Sequence, residues 1–262
     1  MKTVIFVWTT NVCNFKSDNV NGFWGIGDTI RGLICVYYIC KELNYEFIVD
    51  IQHHPVSKYL KQRDHKYLDL IKNAKDKIPF IYPDNSKAYI QNHSDNIVYL
   101  FTNDDYKQNI DDDCKAFLKD LFTPNEQFQT YIDNKLVGLC IEEYSVIHFR
   151  LGDDYLVRNL INNELIKSCI NIYKNHKSDK QILMSDNNEF KNILIDKEKA
   201  FAFNTKIIHL GYKDHENDIE DTLFEFMILL KVKEIKHFSV YGWISGFIKT
   251  ANIITNVKLI KI

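Results

Sequence analysis

The sequence predicts an α/β protein of two domains, each built on a mostly parallel sheet. Two observations carry this expectation. Short runs rich in β-branched and aromatic residues alternate with helix-period stretches along the chain, the pattern of parallel strands joined and covered by helices. With 45% apolar and 26% charged residues, a chain of 262 has material for a core and length for two modest domains. The boundary is placed within residues 137–144, so the expected domains are 1–138 and 139–262.

The first strand is placed at residues 3–9 and the second at 45–50. Between them Ile30, Leu33, Ile34, Tyr37 and Tyr38 recur at helical spacing, which predicts a helix over 28–43 with Asp28 as its N-cap. Strands follow at 78–82 and 97–101, then two helical stretches between 112 and 136. In the second half, apolar runs at 145–149, 181–184, 206–210 and 234–238 read as four strands. Helices at 162–175, 187–199 and 218–233 separate them. In the last helix Ile219, Leu223, Phe226, Met227 and Leu230 form one apolar stripe, expected to pack on the sheet.

Composition removes several functions. A formal charge of −2, with Lys interleaved among Asp and Glu, provides no phosphate-neutralising face, so no nucleic-acid partner is expected. None of the six cysteines has zinc or redox spacing, and buried free thiols in a reducing compartment are the expectation. The apolar run that opens the chain is too short to span a bilayer, and no other reaches that length. A cytoplasmic protein without stable membrane insertion is therefore expected. His53 and His54 are adjacent and make a poor metal pair, and Asp111, Asp112 and Asp113 suit a helix start. Asn103, Asp104 and Asp105 are the better Mg²⁺ candidate but read first as a loop, so no metal is assigned. No G-x-S-x-G elbow supports a serine hydrolase.

Polar residues collect where the second-half strands end. The clusters are His148 to Asp154, Ser185-Asp186-Asn187, His209-Leu210-Gly211 and the turn from Ser239 to Phe247. In a parallel sheet these ends share one edge, where ligands bind. His148 and Arg150 fall on one face of their strand. The planar fork of Arg150 suits phosphate oxygens, or else forms a salt bridge with Asp153 or Asp154. Ser239 and Ser245, around Gly242 and Gly246, either cradle a diphosphate or cap the following helix. Glu225 can accept two N–H bonds from a guanine edge, or it lies on a solvated helix face.

The sharpest feature of the first half runs from Gly22 to Gly32 and includes Gly25, Gly27, Asp28 and Arg31. Glycines before a helix let a ligand approach unpaired backbone donors. With Asp50 as a ribose acid this suggests a dinucleotide fingerprint. The loop is over ten residues too long for that turn, however, and Ile30 fills the third glycine's place.

Taken together, these segments resemble the fucosyltransferase superfamily, which includes the α-1,2-, α-1,6- and protein O-fucosyltransferases. HFRLGD at 148–153 is similar to the family's His-x-Arg-x-Gly/Thr-Asp strand end, and LMSDN at 183–187 to its second short motif. Residues 225–247 resemble the third, and NGFWGIGDTIRGL at 21–33 resembles the glycine-rich loop opening the N-terminal domain. Four islands match in family order. Leu151 stands where many members have a second basic residue, Glu225 where Asp is usual, and Asp28 where several carry Asn.

The resemblance implies a GT-B-like fold of two facing Rossmann-like domains, the second holding a GDP-sugar donor. It assigns the donor diphosphate to Arg150, with Ser239 and Ser245, and the guanine to His148 and Glu225. Asp28 and Arg31 would face the reacting sugar or acceptor, and Gly25, Gly27, Asp186 and Gly246 complete the donor-binding set. The implied reaction moves a sugar, fucose from GDP-fucose, to a hydroxyl of an oligosaccharide or glycoconjugate with inversion and without a cofactor or metal. Asp28 is the first choice of base and Asp153 the second. Alternatives are a transferase using another nucleotide sugar, a nicotinamide-dependent oxidoreductase, and a non-catalytic nucleotide- or glycan-binding module.

Overall fold

The computed structural model describes residues 1–9, 25–52, 54–63, 66–67, 78–152, 162–208 and 219–262. Readings placed on Cys13, Gly22, His53, Asp153, Asp154, His209 and Gly211 lie outside the described residues. The chain forms two compact units, one built from Met1–Thr130, the other from Tyr131–His209 and Asn217–Ile262.

The first unit holds β1 (Thr3–Val7), α1 (Ile26–Leu43), β2 (Glu46–Asp50), β3 (Phe80–Ile81), α2 (Ser86–Asn92), β4 (Ile97–Thr102) and α3 (Asp112–Leu121). Its sheet runs β2-β1-β4-β3, all parallel. Every residue of the central β1 is buried, which accounts for its unbroken apolar character. α1 begins two residues earlier than its apolar periodicity suggests. Gly25, in extended conformation, is the N-cap, and Asp28 sits in the first turn, where a carboxylate favours the helix dipole. Asn44 ends the helix in the left-handed region, its amide reaching the carbonyls of Cys40 and Lys41. Asp111 caps α3 by accepting the Cys114 amide at 2.9 Å, as the acidic run suggests.

Gly32 has no room for a side chain. A Cβ there would lie 1.7 Å from the carbonyl oxygen of Thr102, so α1 packs backbone-to-backbone on the end of β4. Gly→Ala in a helix normally gains up to about 1 kcal/mol from propensity. Here Gly32→Ala is expected to destabilise by about 1–3 kcal/mol instead, because helix and strand must part. Urea denaturation reads the sign directly, and an unchanged or raised midpoint would refute the close approach.

The second unit begins inside α4 (Glu126–Lys135) and continues with β5 (Ser145–Arg150), α5 (Asn163–His176), β6 (Gln181–Ser185) and α6 (Asn188–Glu198). α7 (Glu220–Leu229), β7 (Glu234–Ser239), α8 (Gly246–Thr255) and β8 (Lys258–Lys261) complete it. The sheet runs β6-β5-β7-β8, again parallel. On one face Ile147, Phe149 and Leu151 pack with Cys169, Phe190 and Leu194 of α5 and α6.

Two expectations are corrected. Residues 206–208 form no strand, and the fourth place in the sheet belongs to β8. Side chains take the backbone groups that a ladder would need: the amides of Lys206, Ile207 and Ile208 donate to Asp221, Asn188 and Thr222 at 2.8, 3.3 and 3.0 Å. α7 has no single apolar stripe, because every residue from Thr222 to Leu229 is buried, as in a helix enclosed on all sides.

Cys35, Cys40, Cys114 and Cys169 are buried and unpaired, and burial pushes each thiol up to about 12. Cys140 is exposed. Among the described residues no helix is long and apolar enough to cross a membrane.

Candidate active site

The second sheet reverses at β5. The chain leaves β5 through α5 to β6 on one side and returns to β7 on the other. Such a reversal opens a crevice beyond the carboxyl ends of the two strands. The register sets Arg150 opposite Ser239 and His148 opposite His237. These four share one face, and Phe149 alternates to the other, 5.1 Å from Phe190.

Arg150 is 16% exposed and so stands at the sheet edge rather than in the core. Its Nη1 donates to Asp186. The same carboxylate accepts the Leu151 amide at 2.7 Å and the Gly152 amide at 3.1 Å. One buried acid therefore holds both the guanidinium and the turn after β5. Burial raises the Asp186 carboxyl, while Arg150 and the two amides oppose the rise. The Tyr241 ring centre lies 5.8 Å from the guanidinium carbon, within cation–π range. Sequence reasoning names Asp186 but misses it as the partner of Arg150. The pairing of Phe149 with Ser185, which brings the two strand ends level, is the signal that reveals it.

The Ser239 hydroxyl accepts the Tyr241 amide at 3.2 Å and shapes the turn after β7. Ser245 is the N-cap of α8, yet its side chain makes no capping bond, so ordinary capping does not explain it. Gly246 opens α8 at the same strand end. A helix start there directs its dipole and first amides toward an anion.

His148 is 5% exposed, and its Nδ1 finds no hydrogen-bond partner among the described residues. Burial first, and Arg150 second, push the imidazole down to about 3, so it is neutral near pH 7. Its ring stacks on Phe247, with centroids 6.4 Å apart. Glu225 is buried as well, which removes the solvated-face reading. Its Oε1 accepts the Thr205 hydroxyl at 2.5 Å and lies 3.6 Å from Lys191 Nζ. Lys191 also donates to the carbonyl and hydroxyl of Thr205 at 2.5 and 2.9 Å. Burial raises the Glu225 carboxyl to about 7 against the pull of Lys191. Nothing local in the sequence marks Lys191, since a lysine on a helix ordinarily reads as solvated.

In the first unit the sheet reverses between β1 and β4. Gly25 and Gly27 lie at the start of α1, and Asp28 pairs with Arg31 at 3.0 Å, both partly exposed. Arg31 Nε donates to the Asn103 carbonyl at 2.9 Å and so ties α1 to the end of β4. The Asp104 amide donates to Thr102 Oγ1 and the Asp105 amide to Asp104 Oδ1, at 3.0 and 2.8 Å, so these acids shape a turn. Asp50 is only 1% exposed and accepts the Gln52 amide at 2.8 Å. Among the described residues no cluster of His, Cys, Asp or Glu is arranged to hold a metal ion.

No protein-family model matches the sequence, and no curated protein does. Solved structures do. The α-1,6-fucosyltransferase NodZ soaked with GDP-fucose superposes with a TM-score of 0.55 at 12% identity, covering 97% of this chain and 92% of that one. Fucosyltransferase NodZ from Bradyrhizobium gives 0.56 at 11% identity over 97% and 93%. FUT1 of Arabidopsis thaliana, in complex with GDP, gives 0.51 at 10% identity, covering 98% of this chain and 69% of that one. The chain thus has the α/β fold of the GT-B fucosyltransferases.

Proposed function

We propose that this chain, with the fold of fucosyltransferases, is a glycosyltransferase that moves fucose from GDP-fucose to a glycan hydroxyl with inversion. The observation that carries the reading is Arg150, held by a buried carboxylate at the reversal of the second sheet, opposite Ser239 and on the strand whose His148 stacks on Phe247 of α8. An anion is the ligand such an edge suits. Two of the structural neighbours were determined with GDP-fucose or GDP.

In this reading the diphosphate meets Arg150, Ser239, Ser245 and the Gly246 end of α8. Asp186 acts through Arg150, which it orients. His148 supplies an unsatisfied neutral nitrogen and Glu225 a buried carboxylate for the base. In the first unit, Gly25 and Gly27 are assigned to the donor, and Asp28 and Arg31 to the reacting sugar or acceptor. As the bond from the anomeric carbon to the diphosphate breaks, negative charge grows on the leaving oxygen. A guanidinium fixed beforehand stabilises that charge most in the transition state. The acceptor oxygen attacks from the opposite face and gives its proton to a carboxylate, Asp28 first and Asp153 second. The cationic charge this requires comes from Arg150, so no metal is needed.

The nicotinamide alternative is disfavoured because Asp50, its ribose acid, is buried and committed to its own turn. Titration calorimetry with GDP, UDP and NAD tests the proposal. GDP is expected to bind, and turnover of GDP-fucose is expected to survive EDTA. Selective binding of NAD or UDP would replace this reading with an oxidoreductase or with another nucleotide-sugar transferase. GDP binding without transfer to any acceptor would leave a binding module.

A further inference from the structure

Among the described residues, exposed large hydrophobic side chains concentrate in the loop between β7 and α8. Val240, Trp243 and Ile244 are 39%, 66% and 36% exposed. Isolated exposed apolar residues are ordinary, but a cluster beside a polar site marks a ligand surface. The aromatic rings here are also ordered. Tyr241 and Trp243 stack with centroids 4.8 Å apart and planes 10° from parallel.

This stack is anchored at one end. Tyr241 lies against the Arg150 guanidinium, and its hydroxyl is 3.2 Å from where a Cβ on Gly152 would stand. Gly152 has φ +110°, and its lack of a side chain keeps the Tyr241 position open. Arg150, Tyr241 and Trp243 thus form a ladder from the buried Asp186 to solvent. A side chain at Gly242 would meet no atom within 4 Å beyond the adjacent residues, so the loop is open there.

We propose that the Tyr241–Trp243 pair is the platform on which a pyranose ring of the acceptor glycan stacks. The inference rests on the transferase reading above and adds the acceptor subsite to it. A ladder continuous with Arg150 serves a substrate of the same reaction. Of the two substrates, the nucleoside is provided for by His148 and Glu225, which lie buried in the second unit. The glycan remains. A pyranose with equatorial hydroxyls presents one face of C–H groups, which bear partial positive charge and suit the negative face of an aromatic ring. The apolar flanks Val240 and Ile244 add area but no donors with which to read a base edge.

The test uses the full chain with cellotetraose, N-acetylchitotetraose and lacto-N-tetraose as probes. At least one is expected to perturb tryptophan fluorescence in the wild type. Trp243→Ala should raise the Kd for that probe, and the acceptor KM, by about 10-fold, the size of one aromatic contact. GDP affinity should stay within about twofold, and Trp243→Phe should recover most of the loss. Because Trp243 is exposed, circular dichroism of the variant should match the wild type.

Binding of none of the probes, or unchanged probe binding in Trp243→Ala, overturns the platform while leaving GDP binding intact. Loss of GDP affinity in that variant also overturns it and makes the pair a base-stacking surface. Absence of GDP binding with Trp243-dependent probe binding preserved defeats the transferase reading instead.

Discussion

Replacing Arg150 with alanine is expected to lower turnover on the order of 10²–10³-fold, the usual loss when one fixed donor to developing charge is removed. Ground-state binding should change less, because the guanidinium is needed most as the leaving group departs. The substitution has a structural side effect, since it strips Asp186 of its cation inside a largely buried site. Arg150→Lys separates the two consequences. Lysine keeps a positive charge for Asp186, so the urea midpoint should stay close to wild type. It lacks the planar fork and stacks poorly on Tyr241, so turnover should still fall by about tenfold or more. Steady-state kinetics beside denaturation curves decides it: a fully active, stable Arg150→Ala protein would remove the leaving-group role.

Lys191→Met should cost about 3–5 kcal/mol of stability, because it leaves Glu225 buried without its cation. The cost should also depend on pH. In the native state the Glu225 carboxyl is raised to about 7 from an ordinary 4.5. The folded protein then keeps a proton that the unfolded chain releases in that window. Stability from this group is therefore greatest below pH 4.5 and falls as pH rises to about 7. Removing Lys191 deletes the charge that opposes burial, so the fall should extend to higher pH. The deficit of Lys191→Met against wild type should thus be smaller at pH 5 than at pH 8. Adding Glu225→Gln should remove most of that pH dependence. A deficit that does not change with pH would mean that Lys191 contributes packing rather than charge.

The course of the chain reads well where local pattern and tertiary role coincide. β1 and β4 are largely apolar strands, and α1 shows its period in Ile30, Leu33 and Ile34, so neighbouring residues alone suffice. The run at 206–208 misleads because its residues suit a strand equally well. What decides against a ladder is that Asp221, Thr222 and Asn188 reach it first. β8 is passed over for the opposite reason: four residues with a lysine at each end carry little apolar signal, and they hold an edge position through pairing with β7.

The site divides in the same way. The placement of Arg150, Ser239, Ser245 and His148 at strand ends of the second sheet is legible from sequence, because parallel strands gather their ends on one edge. The partner of Arg150 is not, since Asp186 stands just past the end of β6 and the nearer acids in sequence draw attention first. By itself the sequence determined most element types, the parallel architecture and the kind of residue offered at the sheet edge, because these follow from short-range periodicity and turn chemistry. Only the tertiary structure decided which carboxylate holds which cation, that Glu225 and Lys191 share the interior, and that Tyr241 and Trp243 stack. Those outcomes depend on strand register and on the desolvation of paired charges, which arise only when segments distant in sequence pack together.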